Sequence, residues 1–328
     1  MRAVLFDRYG DYSELKLVTR DRPLPSAGEV LVRVTVAAVN PIDSTIRLGR
    51  FPAAKPPPLV LGQEACGVVV GGAGSLLPEG TRVLVRGGFG TMRDGTWQEF
   101  VAARPEQLFT VSDRLDDAEV AASGSGYLAA ALALKSAGFE PGKTVLALGV
   151  GGAVGNAVYQ LGRARGGARV IGTVGAHAKA ALARSLGVED VIDLSTESVA
   201  DGVARLTGGA GVDIVVDPIG GAITGAALRS LADGGTLVAL GYVAGTQAEI
   251  NLQDMVRRRA QIHAVALGRE PAMSVRALYD EMREEFSRSL IRPVVARTFP
   301  LGQAGEAQRF LDEERPFGKV VLKVAQEP

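Results

Sequence analysis

The chain carries a single cysteine, Cys66, and only two histidines, His177 and His263, in 328 residues. One thiol excludes a disulfide framework or a thiolate metal cluster within the chain. A catalytic zinc takes three protein ligands, and no second soft ligand lies near Cys66 in sequence, so Cys66 reads as a small buried core residue and no metal is expected. Neither sign of charge is in excess, with 36 basic and 36 acidic residues. That balance leaves no electrostatic footprint for nucleic acid or anionic lipid, and no aromatic–basic clusters suited to stacking RNA bases are present. The opening stretch, Met1 to Arg8, puts charge inside its apolar run and lacks the apolar core of a signal peptide, which points to a soluble, cytoplasmic protein. What the chain does have is glycine, 42 residues of it, well above the roughly 7% average. Its length suffices for two domains with substantial cores.

The most informative segment is the charge-free run between Lys143 and Arg163. Thr144 to Leu148 reads as a buried strand that stops at a glycine cluster. After Gly152 the apolar residues Val154, Val158 and Leu161 recur at helical spacing. The glycines, Asn156 and Gln160 suit a turn and an amphipathic helix better than a membrane span. A strand, a glycine turn and a helix form the phosphate-binding element of a dinucleotide fold. Glycine lets the backbone approach a pyrophosphate, and the helix start offers unpaired N–H groups and a partial positive charge. The spacing here, Gly149-x-Gly151-Gly152-x-x-Gly155, is one residue longer than the usual fingerprint, and glycine-rich turns also occur in α/β proteins that bind no nucleotide.

Strand–helix alternation continues beyond it. Ala168–Val174, Val191–Asp193, Val212–Asp217 and Thr236–Leu240 read as strands. Helices are expected over Ala176–Leu186, from a cap at Ser195 or Thr196 to Leu206, and through Leu228 and Leu231. The pattern implies right-handed β-α-β units and a parallel, doubly wound α/β sheet, placed at residues 122–264. Residues 1–121 differ in kind: short alternating strands (Glu29–Val36, Val68–Val70, Thr81–Val85, Trp97–Val101) separated by Gly and Pro clusters imply an antiparallel, barrel-like domain. A helical stretch at Ala304–Glu314 and a strand at Gly318–Val324 suggest that residues 265–328 return to that first domain. Ligands are then expected in a cleft between the domains, at the carboxyl ends of the parallel strands.

Several segments, in order, carry a family resemblance: Phe6-Asp-Arg-Tyr-Gly10, Pro25 to Val34, Ala38-Val-Asn-Pro-Ile-Asp43, Leu61-Gly-Gln-Glu-Ala-Cys-Gly67, the long glycine turn, Gly211 to Gly221, Leu240-Gly241 and Gly318-Lys-Val-Val-Leu322. The chain resembles the medium-chain dehydrogenase/reductase superfamily, and within it the zinc-independent quinone oxidoreductases related to zeta-crystallin. The resemblance implies a Rossmann cofactor domain, a GroES-like catalytic domain, a nicotinamide cofactor and commonly a homodimer joined near Ile262–Leu267. Zinc-dependent relatives carry a cysteine ligand after the strand ending near Ala38 and a histidine where Gln63 stands; this chain has neither. Without that ion, alcohol oxidation lacks its electrophile, and hydride delivery to an electron-poor quinone or α,β-unsaturated carbonyl remains.

The resemblance also nominates residues. Asn40 matches the family's active-site asparagine; otherwise it is a turn residue before Pro41. Gln63 lines the pocket or satisfies buried polar groups, and Tyr127 reaches the pocket or packs at a helix start. Thr45, Phe51 and Trp97 are expected pocket walls. Cofactor contacts are expected from Gly149, Gly151, Gly152, Ala153, Val154, Gly155, Gly175, Leu240, Gly241, Tyr242 and Lys319. No carboxylate closes the second strand of the cofactor domain, and Lys179, with His177 assisting, stands where relatives hold a 2′-phosphate; Lys179 is alternatively a solvated helix residue. NADPH is therefore the expected cofactor. The leading expectation is NADPH-dependent quinone reduction, the alternative a 2-alkenal or enoyl reductase, and the rival from another class a nucleotide- or RNA-binding protein with little catalysis.

Overall fold

A computed structural model describes residues 1–71 and 77–324. The chain divides into two compact units. One comprises Met1–Ser125, Ala272–Ser287 and Pro293–Pro328; the other comprises Gly126–Pro271 and Arg288–Arg292.

In the first unit the strand Val30–Val39 is the organising element. Eight of its ten residues are buried, as its burial pattern shows. Such a run, rich in valine, suits a strand covered on both faces. It pairs antiparallel with Glu64–Gly71, Phe100–Ala103 and Lys319–Lys323. Arg82–Arg86 and Leu108–Thr110 continue the sheet on one side, and Val295–Pro300 joins Lys319–Lys323 in parallel on the other. The C-terminal strand thus lies inside the N-terminal sheet. A smaller antiparallel sheet, Lys16–Thr19, Arg2–Phe6 and Leu59–Val60, stands beside it. Val32, Val34, Phe6, Leu61, Val85, Trp97 and Leu322 belong to one continuous core.

In the second unit six parallel strands run in the order Asp190–Asp193, Arg169–Val174, Thr144–Ala147, Val212–Asp217, Leu231–Ala239, Gln261–Ala264. The third-second-first-fourth-fifth-sixth sequence is the doubly wound order. Its direction reverses between Thr144–Ala147 and Val212–Asp217, where such sheets open a crevice for ligands. Leu146, Ile171, Ile192, Val215, Leu228 and Leu237 form its core. No helix among the described residues is long and apolar enough to cross a membrane.

Four sequence expectations need correction. The helix Val199–Thr207 is capped by Ser198, whose hydroxyl accepts the Asp201 N–H. Ser195 and Thr196 instead bond back to Asp193, which turns the chain before the helix can start. Leu231 is not helical; it begins the strand Leu231–Ala239, with Gly234–Gly235 inside it at a register shift rather than ahead of it. The units divide after Ser125 and Pro271 rather than after residues 121 and 264. Residues 288–292 also stay with the second unit, because the Gln160 amide clasps Arg292 with one bond from its N–H at 2.6 Å and one to its carbonyl at 2.8 Å.

Candidate functional site

The glycine turn of the second unit follows the strand Thr144–Ala147 and opens the helix Ala153–Ala164. Gly149 adopts φ +65°, a conformation open to glycine. Thr173, buried in the neighbouring strand, pins the turn: its hydroxyl accepts the Gly149 N–H at 2.9 Å and its carbonyl accepts the Val150 N–H. The closest approach is at Gly155, where a Cβ would lie 2.3 Å from the Gly149 carbonyl oxygen. The helix cap is Gly152, which has no side chain to close the helix start, so the first-turn N–H groups of Ala153, Val154 and Gly155 remain open to an anion. A dinucleotide pyrophosphate fits this cradle. Tyr127 is buried in the helix Ser125–Ser136, whose start rests on Ala153: a Cβ on Gly126 would meet the Ala153 Cβ at 3.0 Å.

Two further turns lie at the same strand ends. Asp217 closes the strand Val212–Asp217, and its carboxylate accepts N–H groups from Ile219 and Gly220 and the Thr224 hydroxyl. Gly241 packs against this turn so tightly that a Cβ would sit 2.2 Å from the Pro218 carbonyl oxygen. Leu240 donates its N–H to Asp217, while Tyr242 projects outward, 60% exposed. Gly175, His177 and Lys179 form the turn and first helical residues after Arg169–Val174. Here the structure adds a group that sequence reasoning missed. Asp193 stands opposite Val174 in register, its Oδ2 3.0 Å from the His177 ring nitrogen. A carboxylate is therefore present at the end of the second strand, supplied by the third. The Ser195 hydroxyl and N–H, together with His177, hold it below the usual carboxylate range.

The first unit contains a buried polar cluster. Asn40 caps the helix Pro41–Arg47, with Pro41 at the position where a missing N–H costs nothing. Its side-chain oxygen accepts the Lys319 ammonium at 2.5 Å, and its amide nitrogen faces Glu64 Oε1 at 3.3 Å. Lys319 also donates to that Glu64 oxygen at 2.9 Å. The other Glu64 oxygen accepts the Ser125 N–H. Glu64 and Lys319 are both enclosed, with side chains 0% and 6% exposed. Burial pushes the Glu64 carboxyl up, but the Lys319 charge and the hydrogen bonds from Lys319 and Ser125 outweigh it and hold it below the usual range. Asp43, fully buried, accepts the Asn40 N–H at 2.7 Å and the Gly62 N–H at 3.3 Å. Next to Gly62, the Gln63 side-chain nitrogen is buried without a hydrogen-bond partner, tucked beside Gly90.

The structure corrects two nominated roles. Lys319, nominated as a cofactor contact, commits its ammonium to Asn40 and Glu64 and is 5% exposed, so in this structure it orients Asn40. Trp97 is not a pocket wall: it is fully buried, its ring N–H donates to the Ala38 carbonyl at 3.0 Å, and Gly62 packs on its face. Thr45 is half-buried and bonds the Pro41 carbonyl within its helix; Phe51 packs partly buried on the core. Glu64 was absent from the nominated site, and Asp43 stands in it as the structural partner of the Asn40 N–H. A carboxylate three residues after Asn40 in a capping-box position, and one directly after Gln63, were the available signals.

Comparison with known proteins adds to this geometry. Residues 26–113 match the alcohol dehydrogenase GroES-like domain, and residues 153–284 match a family described as zinc-binding dehydrogenase. A quinone oxidoreductase of Rattus norvegicus is 27% identical over 327 residues, covering 98% of this chain and 97% of its own. The synaptic vesicle membrane protein VAT-1 homolog of the same species is 30% identical, over 98% and 84% respectively. Among solved structures, an NAD-dependent alcohol dehydrogenase superposes with a TM-score of 0.88 at 28% identity, over 99% of this chain and 100% of that one.

One of those family descriptions names zinc, and the side chains present do not suit that ion. Gln63 is a neutral amide, Glu64 is bonded by an ammonium and a backbone N–H, and Asp43 is bonded by two backbone N–H groups. Burial raises the Cys66 thiol, keeping it from the thiolate form a metal requires. Among the described residues no group of three or more His, Cys, Asp or Glu side chains is arranged to hold a metal.

Proposed function

Because the chain belongs to the medium-chain dehydrogenase/reductase superfamily, among the relatives of quinone oxidoreductase, we propose that it is an NADPH-dependent reductase of quinones. The observation that carries the nucleotide half of this proposal is the close approach of Gly155 to Gly149 beneath a helix start without a side-chain cap. Bound NADPH supplies a hydride. The protein's part is to bind, orient and polarise. Lys319 and Glu64 fix the Asn40 amide with its oxygen toward the ammonium, so an N–H of that amide faces away from the cation. The unpartnered Gln63 nitrogen is a second donor of the same kind. Two neutral N–H donors suit a carbonyl oxygen that gains negative charge as hydride arrives. They stabilise less charge than a metal ion, which favours acceptors that are already electron-poor. The proton that completes the reduced acceptor then comes from water.

Mixing the protein with NADPH and a panel of quinones and 2-alkenals, and following the nicotinamide absorbance, tests the proposal. Quinone turnover supports it, turnover of enals alone shifts the assignment to alkenal or enoyl reduction, and no turnover with nucleotide still bound overturns the reductase assignment.

The preference for NADPH rests on Lys179 and His177 at the start of the helix His177–Ser185. Asp193 is the competing feature, but its oxygens are engaged by Ser195 and His177. In Lys179→Glu the KM for NADPH is expected to rise at least about tenfold more than that for NADH, in line with loss of one charge-assisted bond. Equal changes for the two cofactors refute the assignment.

A further inference from the structure

Asp43 touches the polar cluster from below and takes no part in the proposed hydride transfer. Its two oxygens bridge two separate segments: one accepts the N–H of Asn40, at the end of the strand Val30–Val39, and the other accepts the N–H of Gly62, the residue before Gln63. Gly62 has little freedom. It adopts φ +98°, and a Cβ there would lie 2.4 Å from the Trp97 ring. The chain on both sides of the Asp43 carboxylate therefore leads directly to a side chain that offers an amide N–H to an acceptor.

We propose that Asp43 is a positioning residue whose ionised carboxylate clamps the backbones of Asn40 and Gly62, and that its protonation opens the clamp. The proposal rests on the reductase assignment for its effect on turnover, though not for the clamp itself. A carboxylate only accepts hydrogen bonds, and both of its partners are donors. Once protonated, the oxygen that carries the O–H is a weaker acceptor than a carboxylate oxygen, so one of the two bonds is weakened.

The groups facing Asp43 set where this happens. Burial pushes the carboxyl up to about 7. The N–H groups of Asn40 and Gly62 and the Lys319 ammonium pull the other way, and the Glu64 carboxylate adds to the rise. The sign for stability follows. The folded carboxyl keeps its proton up to about pH 7, whereas the unfolded one releases it near 3.8. This group's contribution to stability therefore declines as pH rises between those values, and the clamp closes at the upper end of that range, near 7.

Two measurements on the intact protein test this. In the wild type, the backbone amide signals of Asn40 and Gly62, followed by NMR from pH 5.5 to 8.5, are expected to titrate together with a midpoint near 7; signals that stay flat overturn the clamp whether or not the protein reduces anything. With NADPH saturating, kcat/KM for the acceptor is expected to fall about tenfold per pH unit below 7 in the wild type. In Asp43→Asn that limb is expected to vanish at a lowered, pH-independent rate. A limb that persists in Asp43→Asn overturns the proposed role of Asp43 in turnover.

Discussion

Gly155→Ala is expected to weaken NADPH and NADH binding alike, by at least about a hundredfold, or roughly 2.7 kcal/mol. A methyl at this position would stand 2.3 Å from the Gly149 carbonyl oxygen and 2.6 Å from the Leu148 oxygen. Both neighbours are backbone, so no rotamer change relieves the contact; the helix start or the turn must move. Either movement displaces the open N–H groups of Ala153 and Val154 from the turn that Thr173 holds in place. The loss concerns the pyrophosphate, which the two cofactors share, and so separates this variant from Lys179→Glu. Gly268→Ala, where a Cβ meets nothing, serves as the control. Fluorescence titration with each nucleotide checks the expectation, and near-native affinity in Gly155→Ala would falsify the cradle.

The second large effect is on stability. Lys319→Met leaves Glu64 fully enclosed with its cation gone. Breaking a buried pair by removing one partner costs about 3–5 kcal/mol, whereas replacing both partners by apolar groups is often nearly neutral. Lys319→Met is thus expected to lower unfolding stability by that amount at pH 8, and adding Glu64→Leu to restore much of it. The sign of the pH dependence is a further check. In the wild type the depressed Glu64 carboxyl contributes stability above its unfolded range, and this is lost as pH falls. Without Lys319, burial dominates and raises that carboxyl, so the deficit of the single variant narrows as pH falls toward 5. Denaturant unfolding at the two pH values reads this directly; a deficit that widens toward pH 5 contradicts it.

Much of the parallel unit was legible in the sequence, because its strands are short apolar runs closed by glycines, and local chemistry sets where each one stops. The errors fell where a side chain overrode that punctuation. Asp193 drew Ser195 and Thr196 into a turn, and Gly234–Gly235 bulged a strand instead of preceding it. The buried polar cluster was only half legible. Asn40 and Gln63 stand in recognisable motifs. That Lys319 meets Asn40 follows from the pairing of residues 279 positions apart, which no local pattern encodes. Asp193 illustrates the same limit: its proximity to His177 depends on strand order, not on spacing along the chain.

The pairing of Lys319–Lys323 with Val30–Val39 bears on biosynthesis. On a translating ribosome, Gly126–Pro271 has emerged and is free to assemble its parallel layers while the first unit still lacks an interior strand. The Asn40 amide has no ammonium to orient it, and Glu64 no counter-ion, until the codons for residues 319–323 have been read and their product has left the exit tunnel. A nonsense codon a few triplets before Lys319 therefore removes little mass yet leaves the strand Val30–Val39 without that partner and the buried Glu64 carboxylate without its cation.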